Sequence, residues 1–327
     1  MRKFIRAGMA VALSLGLSQA AASATWTAYN YGPSESMANV QGFREILTAI
    51  EEASDGEIKF RVRLGGSLPI QASNITQAVG NNTVQFADDG FFLGNVTIPG
   101  ILRLPMLLHT PEEYDKAVEV LTPYMDKEFE EQGVVVLGRY IYPYHQSFFS
   151  AKKIETPEDI AGQKIRVTSP EQADFVERYD AVAVTMGTPE VAPALQSGAI
   201  DGALTANSGG GNLWKEMLNY NYQMPVNYFD GLYIVNKEQF DALDAELQEK
   251  IKEIVATGGV ETTQRLLTLE GTLGEQFIED GMIVTAPNQE DVDEAIESVS
   301  VLWENWAQDR GPQAVEALEA VRQALGR

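Results

Sequence analysis

The sequence predicts an α/β protein made of one large or two medium domains. Two observations carry this reading. From Trp26 onward, short β-like runs alternate with amphipathic helical stretches, which suits neither a sandwich nor a bundle. No long Pro/Gly/Ser linker divides the chain, so if there are two lobes the chain crosses between them more than once. Lobes joined in that way are suited to hinge closure around a ligand.

The first segment is set apart from the fold. Arg2, Lys3 and Arg6 precede an apolar run from Ala7 to Leu17, and Ala22-Ser23-Ala24 supplies small residues for a signal peptidase. Residues 1–24 are therefore expected to be a cleaved secretory signal, the apolar run falling short of the ~20 residues that span a bilayer. Removing them leaves 327 − 24 = 303 residues with a net charge of (24 − 3) − 47 = −26. Such a charge repels phosphate backbones and anionic headgroups, so nucleic acid and direct membrane insertion are not expected. The absence of cysteine excludes disulfides, thiolate metal sites and a cysteine nucleophile, and only His109 and His145 remain for soft metal ligation. No metal or cofactor is expected.

Residues 26–31 read as a first strand, broken by Gly32-Pro33-Ser34. Ser34 as N-cap, with Met37, Val40, Phe43, Ile46, Leu47 and Ile50 spaced by three and four, predicts a helix over 34–54. A strand at 57–64, a turn at Gly65-Gly66-Ser67, a helix over 70–79 and a strand at 84–87 follow. Further strands are expected at 134–142, 164–167, 181–185, 200–204 and 232–236. Helices fit 111–132, 170–180, 188–197, 237–280 with interruptions, and 289–325.

The sequence contains no G-x-S-x-G elbow, H-E-x-x-H, Walker loop or G-x-G-x-x-G after the first strand, which weighs against the common hydrolases and nucleotide enzymes. Asp88-Asp89 could supply a carboxylate pair for a glycosidase, but neighbours on a strand face opposite ways, so a non-enzymatic protein is expected. Ser208-Gly209-Gly210-Gly211-Asn212, just before Trp214, reads equally as a flexible turn or as a loop whose backbone approaches a ligand. In the aromatic stretch 140–149, Tyr140, Tyr142 and Tyr144 share one face and Pro143 argues for departure from a sheet centre. These rings are either core or, for Tyr144, His145 and Phe148, a ligand wall; Phe91 and Phe92 carry the same ambiguity. Arg166 stands between Ile165 and Val167 in a β-like run and points opposite to both, toward a carboxylate held by its fork or toward a surface salt bridge.

Asp159-Ile160-Ala161-Gly162-Gln163-Lys164-Ile165-Arg166-Val167 is followed, about two dozen residues later, by Pro189-Glu190-Val191-Ala192-Pro193-Ala194-Leu195-Gln196-Ser197-Gly198-Ala199-Ile200-Asp201-Gly202. This pair of motifs resembles the DctP-like solute-binding subunit of TRAP (tripartite ATP-independent periplasmic) transporters. The likeness extends to the helix from Ser34, Gly65-Gly66-Ser67-Leu68, Leu104-Pro105 and Gly231-Leu232-Tyr233-Ile234-Val235-Asn236.

The resemblance implies a two-lobed periplasmic binding protein fold of the α/β class, with mixed sheets flanked by helices and lobes joined by crossing strands and long helices. Residues 25–142 plus 231–270 would form lobe I, and 143–230 plus 271–327 lobe II. It implies a small organic acid as ligand, delivered to a membrane permease driven by a sodium gradient, with Arg166 clamping the solute's carboxylate. Further contacts would come from Tyr31 and Ser34, Asp88 and Asp89, Tyr144 and His145, and Thr205 with Asn207; Trp214 beside the glycine loop is an added candidate. Many relatives read D-G-Q-E-N-P where this chain has Asp201-Gly202-Ala203-Leu204-Thr205-Ala206-Asn207, and a second basic or strongly polar group where it has His145. Both departures argue against a C4-dicarboxylate or sialic acid, and one permanent cation with many aromatic rings suits a monocarboxylate with an apolar or aromatic body, or a small hydroxy or keto acid. The fold would equally serve a periplasmic ligand sensor.

Overall fold

A computed structural model describes residues 24–327. The expected signal segment, apart from Ala24, lies outside the described residues. Strand β1 (Ala24–Asn30) leads through a turn to helix α1 (Ala38–Ala53), then β2 (Ile58–Leu64), α2 (Ile75–Gly80) and β3 (Phe86–Asp89). Ser34 does not cap α1. It engages Ser36, at 2.8 Å between the hydroxyls, in a separate turn, and the helix starts four residues later than the spacing suggested. Its buried face is the expected one: Val40, Phe43, Ile46, Leu47 and Ile50.

After α3 (Pro111–Glu131) comes β4 (Val134–Ser150), followed by β5 (Lys164–Val167), α4 (Pro170–Glu177), β6 (Val182–Thr185), α5 (Thr188–Ser197) and β7 (Gly202–Thr205). A short helical turn α6 (Asn212–Trp214) precedes β8 (Tyr220–Asn236), α7 (Lys237–Asp241), the 35-residue α8 (Ala245–Glu279), β9 (Ile283–Thr285), α9 (Gln289–Arg310) and α10 (Pro312–Ala324). The last two were expected as one helix. Gly311, at φ +96°, breaks it and Pro312 starts the next.

The strands form one sheet in the order β2-β1-β3-β8-β4-β7-β5-β6, with β9 added to β8. At one end β1 is parallel to β2 and β3, and at the other β5 is parallel to β6 and β7. Between them run β4 and β8, antiparallel and 17 residues each, which belong to both halves. β3 pairs with the end of β8, and β7 with the end of β4.

These two strands are longer than expected, and their pairing explains why. The register of β4 on β8 shifts between Tyr142 and Gln146 and again before Phe148. Pro143 sits in the first irregularity and Pro225 in the second, where a missing N–H costs no ladder bond. One freed β8 carbonyl, of Val226, accepts from Met106 N at 2.6 Å.

α8 packs along β4 and α1. Gly259 makes this approach possible, since a Cβ there would lie 2.2 Å from the Arg139 carbonyl oxygen. α9 spans both halves: Trp303 Nε1 donates to Pro105 O at 2.9 Å and Trp306 Nε1 to Glu171 Oε1 at 2.7 Å. α10 packs along α3, which the expected lobe assignment had placed on the other lobe. A buried ion pair, Arg103 Nε to Asp230 Oδ1 at 2.7 Å, locks the middle of β8 to the 98–103 turn, with Phe229 4.3 Å from the guanidinium.

Candidate ligand-binding site

At the junction of the two halves lies a tight cavity of about 20 Å³, room for little more than one water molecule with the halves in this position. Arg166 enters it from β5. Ile165 and Val167 are fully buried on the opposite face, so the alternation of the strand turns the guanidinium toward the cleft. Its Nε donates to Met186 O at 3.1 Å, and the group lies 5.5 Å from the Trp214 ring and 5.7 Å from Phe91. Among the described residues no carboxylate forms an ion pair with it. Burial lowers its pKa to about 10, with Tyr31 and Glu190 opposing, so it remains a cation at neutral pH. The alternative of a surface salt bridge is excluded, because the side chain is 2% exposed.

The opposite wall is made of tyrosines. Tyr31 follows β1 and Tyr142 lies on β4, with their hydroxyls 3.1 Å apart. Tyr140 continues the chain, 3.1 Å from Tyr31, and donates to Asp88 at 2.9 Å from Oδ1. Burial raises the pKa of all three phenols, so they stay un-ionised. Asp88 also accepts from Asn30 Nδ2 at 2.8 Å and Asn39 Nδ2 at 3.0 Å. Burial pushes its carboxyl up to about 8, partly opposed by these donors. Asp89 faces the other way, toward Thr76 Oγ1 at 2.7 Å and Phe91 N at 2.7 Å, with its carboxyl pushed up to about 6 by burial.

The floor comes from the glycine loop. Gly210 N donates to Thr205 Oγ1 at 3.1 Å, and a Cβ on Gly210 would lie 2.2 Å from the Trp214 ring. Ser208 donates through N, at 2.8 Å, and through Oγ to Glu270 on α8, which fastens the loop to that helix. Outside this cavity, and sharing Tyr31 and Thr168 with it, a wider vestibule lies between loops 66–75 and 91–94 on one side and 168–170 and 185–190 on the other. The two rims touch: a Cβ on Gly66 would lie 3.2 Å from Pro189, and one on Gly187 2.9 Å from Ala72.

Of the expected contacts, Arg166, Tyr31, Thr205 and Trp214 line the cavity. Ser34 is held in its own turn with Ser36 and is not in the lining. Asp88 and Asp89 are fully buried behind the wall, because both sides of β3 are covered; neither reaches the cavity. Tyr144 is 53% exposed, turned out by the bulge at Pro143. His145 bonds Leu108 O at 2.8 Å and stacks on Tyr228, away from the lining, and burial lowers its pKa. Asn207 is half-buried and also absent from the lining, whereas its neighbours Gly209 and Gly210 line it. Gln146, Thr168, Thr188, Met37 and Phe229 are lining residues that the sequence did not single out. Two of them follow strand alternation: Thr168 is two residues beyond Arg166, and Gln146 continues the Tyr140/Tyr142 face. Met37 and Phe229 give no such signal.

The family model for bacterial extracellular solute-binding protein, family 7 (DctP) matches residues 29–309. The chain belongs to this family. It is thus an extracytoplasmic solute-binding protein rather than an enzyme. It is 24% identical over 295 residues to a solute-binding protein of Sulfitobacter sp. (strain NAS-14.1), covering 88% of each chain. Its fold is similar to that of a Bordetella pertussis extracytoplasmic solute receptor binding pyroglutamic acid (TM-score 0.84, 24% identity, 92% of this chain and 100% of that one). It is also similar to that of a TRAP periplasmic solute-binding protein from Ralstonia eutropha H16 with bound (S)-2-acetolactate (TM-score 0.81, 18% identity, 91% and 99% covered). The expected two-lobed binding-protein fold is therefore present.

Proposed function

We propose that this family 7 protein is the exported, periplasmic receptor of a TRAP transporter, capturing a small organic monocarboxylate for a membrane permease. The observation that carries the reading is Arg166: a buried guanidinium, flanked by two aromatic rings, opening on a cavity and lacking an anionic partner among the described residues. An unpaired buried charge is costly, and a carboxylate held by the fork removes that cost. The rings of Phe229, Tyr142 and Trp214 offer an apolar enclosure for the body of the acid. Pyroglutamic acid and 2-acetolactate, bound by structurally similar receptors, are both small monocarboxylic acids, which supports the reading. Closure of the lobes around β4 and β8 would bury the solute, and residues 1–24 would direct export. Among the described residues the lining holds one arginine and no second cation, which disfavours dicarboxylates.

The test is thermal denaturation of residues 25–327 against aromatic, hydroxy, keto, sugar and dicarboxylic acids, with Arg166→Ala in parallel. A ligand at ~1,000 times its Kd adds ~4 kcal/mol, enough to raise the midpoint by several degrees. The reading requires a rise confined to monocarboxylates and lost in Arg166→Ala. A folded protein that responds to no carboxylate overturns it.

A further inference from the structure

We propose that Gln146 is a specificity-determining residue that presents its amide N–H to an oxygen acceptor on the bound acid, so that oxo and hydroxy monocarboxylates are accepted and amino acids with a free ammonium are refused. The inference rests on the carboxylate-capture reading above and names the second group that the acid must carry.

An amide side chain can face either way unless its partners decide, and here backbone atoms decide at both ends of a buried chain of amides. Thr168 N, a donor only, lies 2.8 Å from one end of the Gln172 amide, which must therefore be the oxygen Oε1. Thr168 Oγ1 donates to the same atom at 2.8 Å. Gln172 Nε2 is thereby turned toward Gln146 and Asn227. At the far end Asn227 Nδ2 donates to Tyr228 O, an acceptor only, at 2.8 Å, so Asn227 Oδ1 is the atom that accepts from Gln172 Nε2 at 2.9 Å. Both ends agree. The remaining donation from Gln172 Nε2 goes to Gln146 Oε1, which leaves Gln146 Nε2 as the atom on the cavity side. Among the described residues Nε2 has no hydrogen-bond partner, although Gln146 is only 2% exposed.

The polar groups on this side of the cavity are thus donors: the Arg166 guanidinium and the Gln146 amide. Thr168 spends its hydroxyl proton on Gln172. Among the described residues no Asp or Glu lines the cavity. A 2-oxo or 2-hydroxy group can accept from Nε2, whereas an ammonium would face a donor and a cation with no counter-charge. A site built around one hydrogen bond rejects a ligand that leaves it unmade.

The test is calorimetric titration of residues 25–327 with matched sets of one skeleton: propionate, lactate, pyruvate and alanine, and the corresponding acids of the leucine skeleton. The wild-type protein is expected to bind the oxo or hydroxy member at least ~10-fold more tightly than the alkyl acid, and the amino acid not measurably. Gln146→Glu keeps the acceptor for Gln172 and replaces the cavity-side donor by a carboxylate oxygen; it is expected to lose oxo-acid affinity and to gain the amino acid. Gln146→Met should bring oxo and alkyl acids level. Gln172→Glu, away from the lining, should shift selectivity in the same direction as Gln146→Glu by forcing the Gln146 amide to turn over. Unaltered selectivity in folded variants overturns the proposal while leaving carboxylate capture intact. So does a wild-type protein that binds the amino acid as tightly as its oxo counterpart, whether or not the variants fold. If no acid in either set binds, this inference is overturned, while carboxylate capture stands or falls with the wider panel of acids above.

Discussion

The hydroxyl of Tyr140 donates to the carboxyl of Asp88 at 2.9 Å, and this one bond connects the tyrosine wall of the cavity to an acid that no solute can touch. Asp88 therefore acts on the site through Tyr140, Tyr31 and Tyr142.

Burial raises the Asp88 carboxyl from 3.8 to about 8, so between about pH 4 and 8 the folded protein holds a proton there that the unfolded chain has released. Stability from this group is fully present at low pH and is lost as pH rises through that window. The slope is at most about 1.4 kcal/mol per pH unit. Asp89, raised to about 6, contributes with the same sign but only up to about pH 6. Between pH 6 and 8 the Asp88→Asn variant should therefore show a flatter dependence of Tm than the wild type. Parallel curves over that interval would mean that Asp88 is ionised in the native protein.

Arg103 and Asp230 are 1% and 0% exposed at the side chain and bonded to each other. Replacing Arg103 by Met strands a buried carboxylate and should cost about 3–5 kcal/mol in urea unfolding. Replacing both, Arg103→Met with Asp230→Asn, should recover part of that loss. A single variant as stable as the wild type would contradict the pairing.

Two glycines of α8 should answer oppositely to the same substitution. Gly259→Ala forces a methyl to within 2.2 Å of the Arg139 carbonyl oxygen and should destabilise by about 1–3 kcal/mol. Gly271 has nothing within 4 Å of its would-be Cβ, so Gly271→Ala should stabilise by roughly 0.5–1 kcal/mol through helix propensity. Equal effects in a thermal melt would show that α8 does not press on β4 at Gly259.

Much of this fold could be read from residue patterns. Lys164–Val167 and Thr188–Ser197 lie where apolar alternation and helical spacing put them, and Arg166 points where strand geometry required. What escaped was non-local. The first half of β8 does alternate Tyr222, Met224, Val226 and Tyr228 with Asn221, Gln223, Pro225 and Asn227, but Pro225 and the amides argue against a central strand, and it takes pairing with β4 and β9 to make it one. Likewise Tyr144 and His145 stand as expected contacts through the resemblance, although Pro143 already argues that the stretch leaves the sheet centre. The bulge at Pro143 turns Tyr144 out of the cavity face, and His145, one position on, faces Leu108 O instead, while Gln146, further along the same alternation as Tyr140 and Tyr142, remains on the cavity. Asp88 and Asp89 looked accessible because a lone carboxylate pair usually is; pairing of β3 with both β1 and β8 buried them.

Two of the three irregularities in the pairing of β4 with β8 fall where the halves of the sheet meet, with Gln146 between them. A body that rotates about a point displaces its edges most and that point least. Were the halves to swing apart here, Pro189 would leave Gly66 long before Gln146 left its neighbours. A solute's first lasting contact would then be with the axle of the motion, and the loops at the rim would close over it afterwards, as the arm swings home.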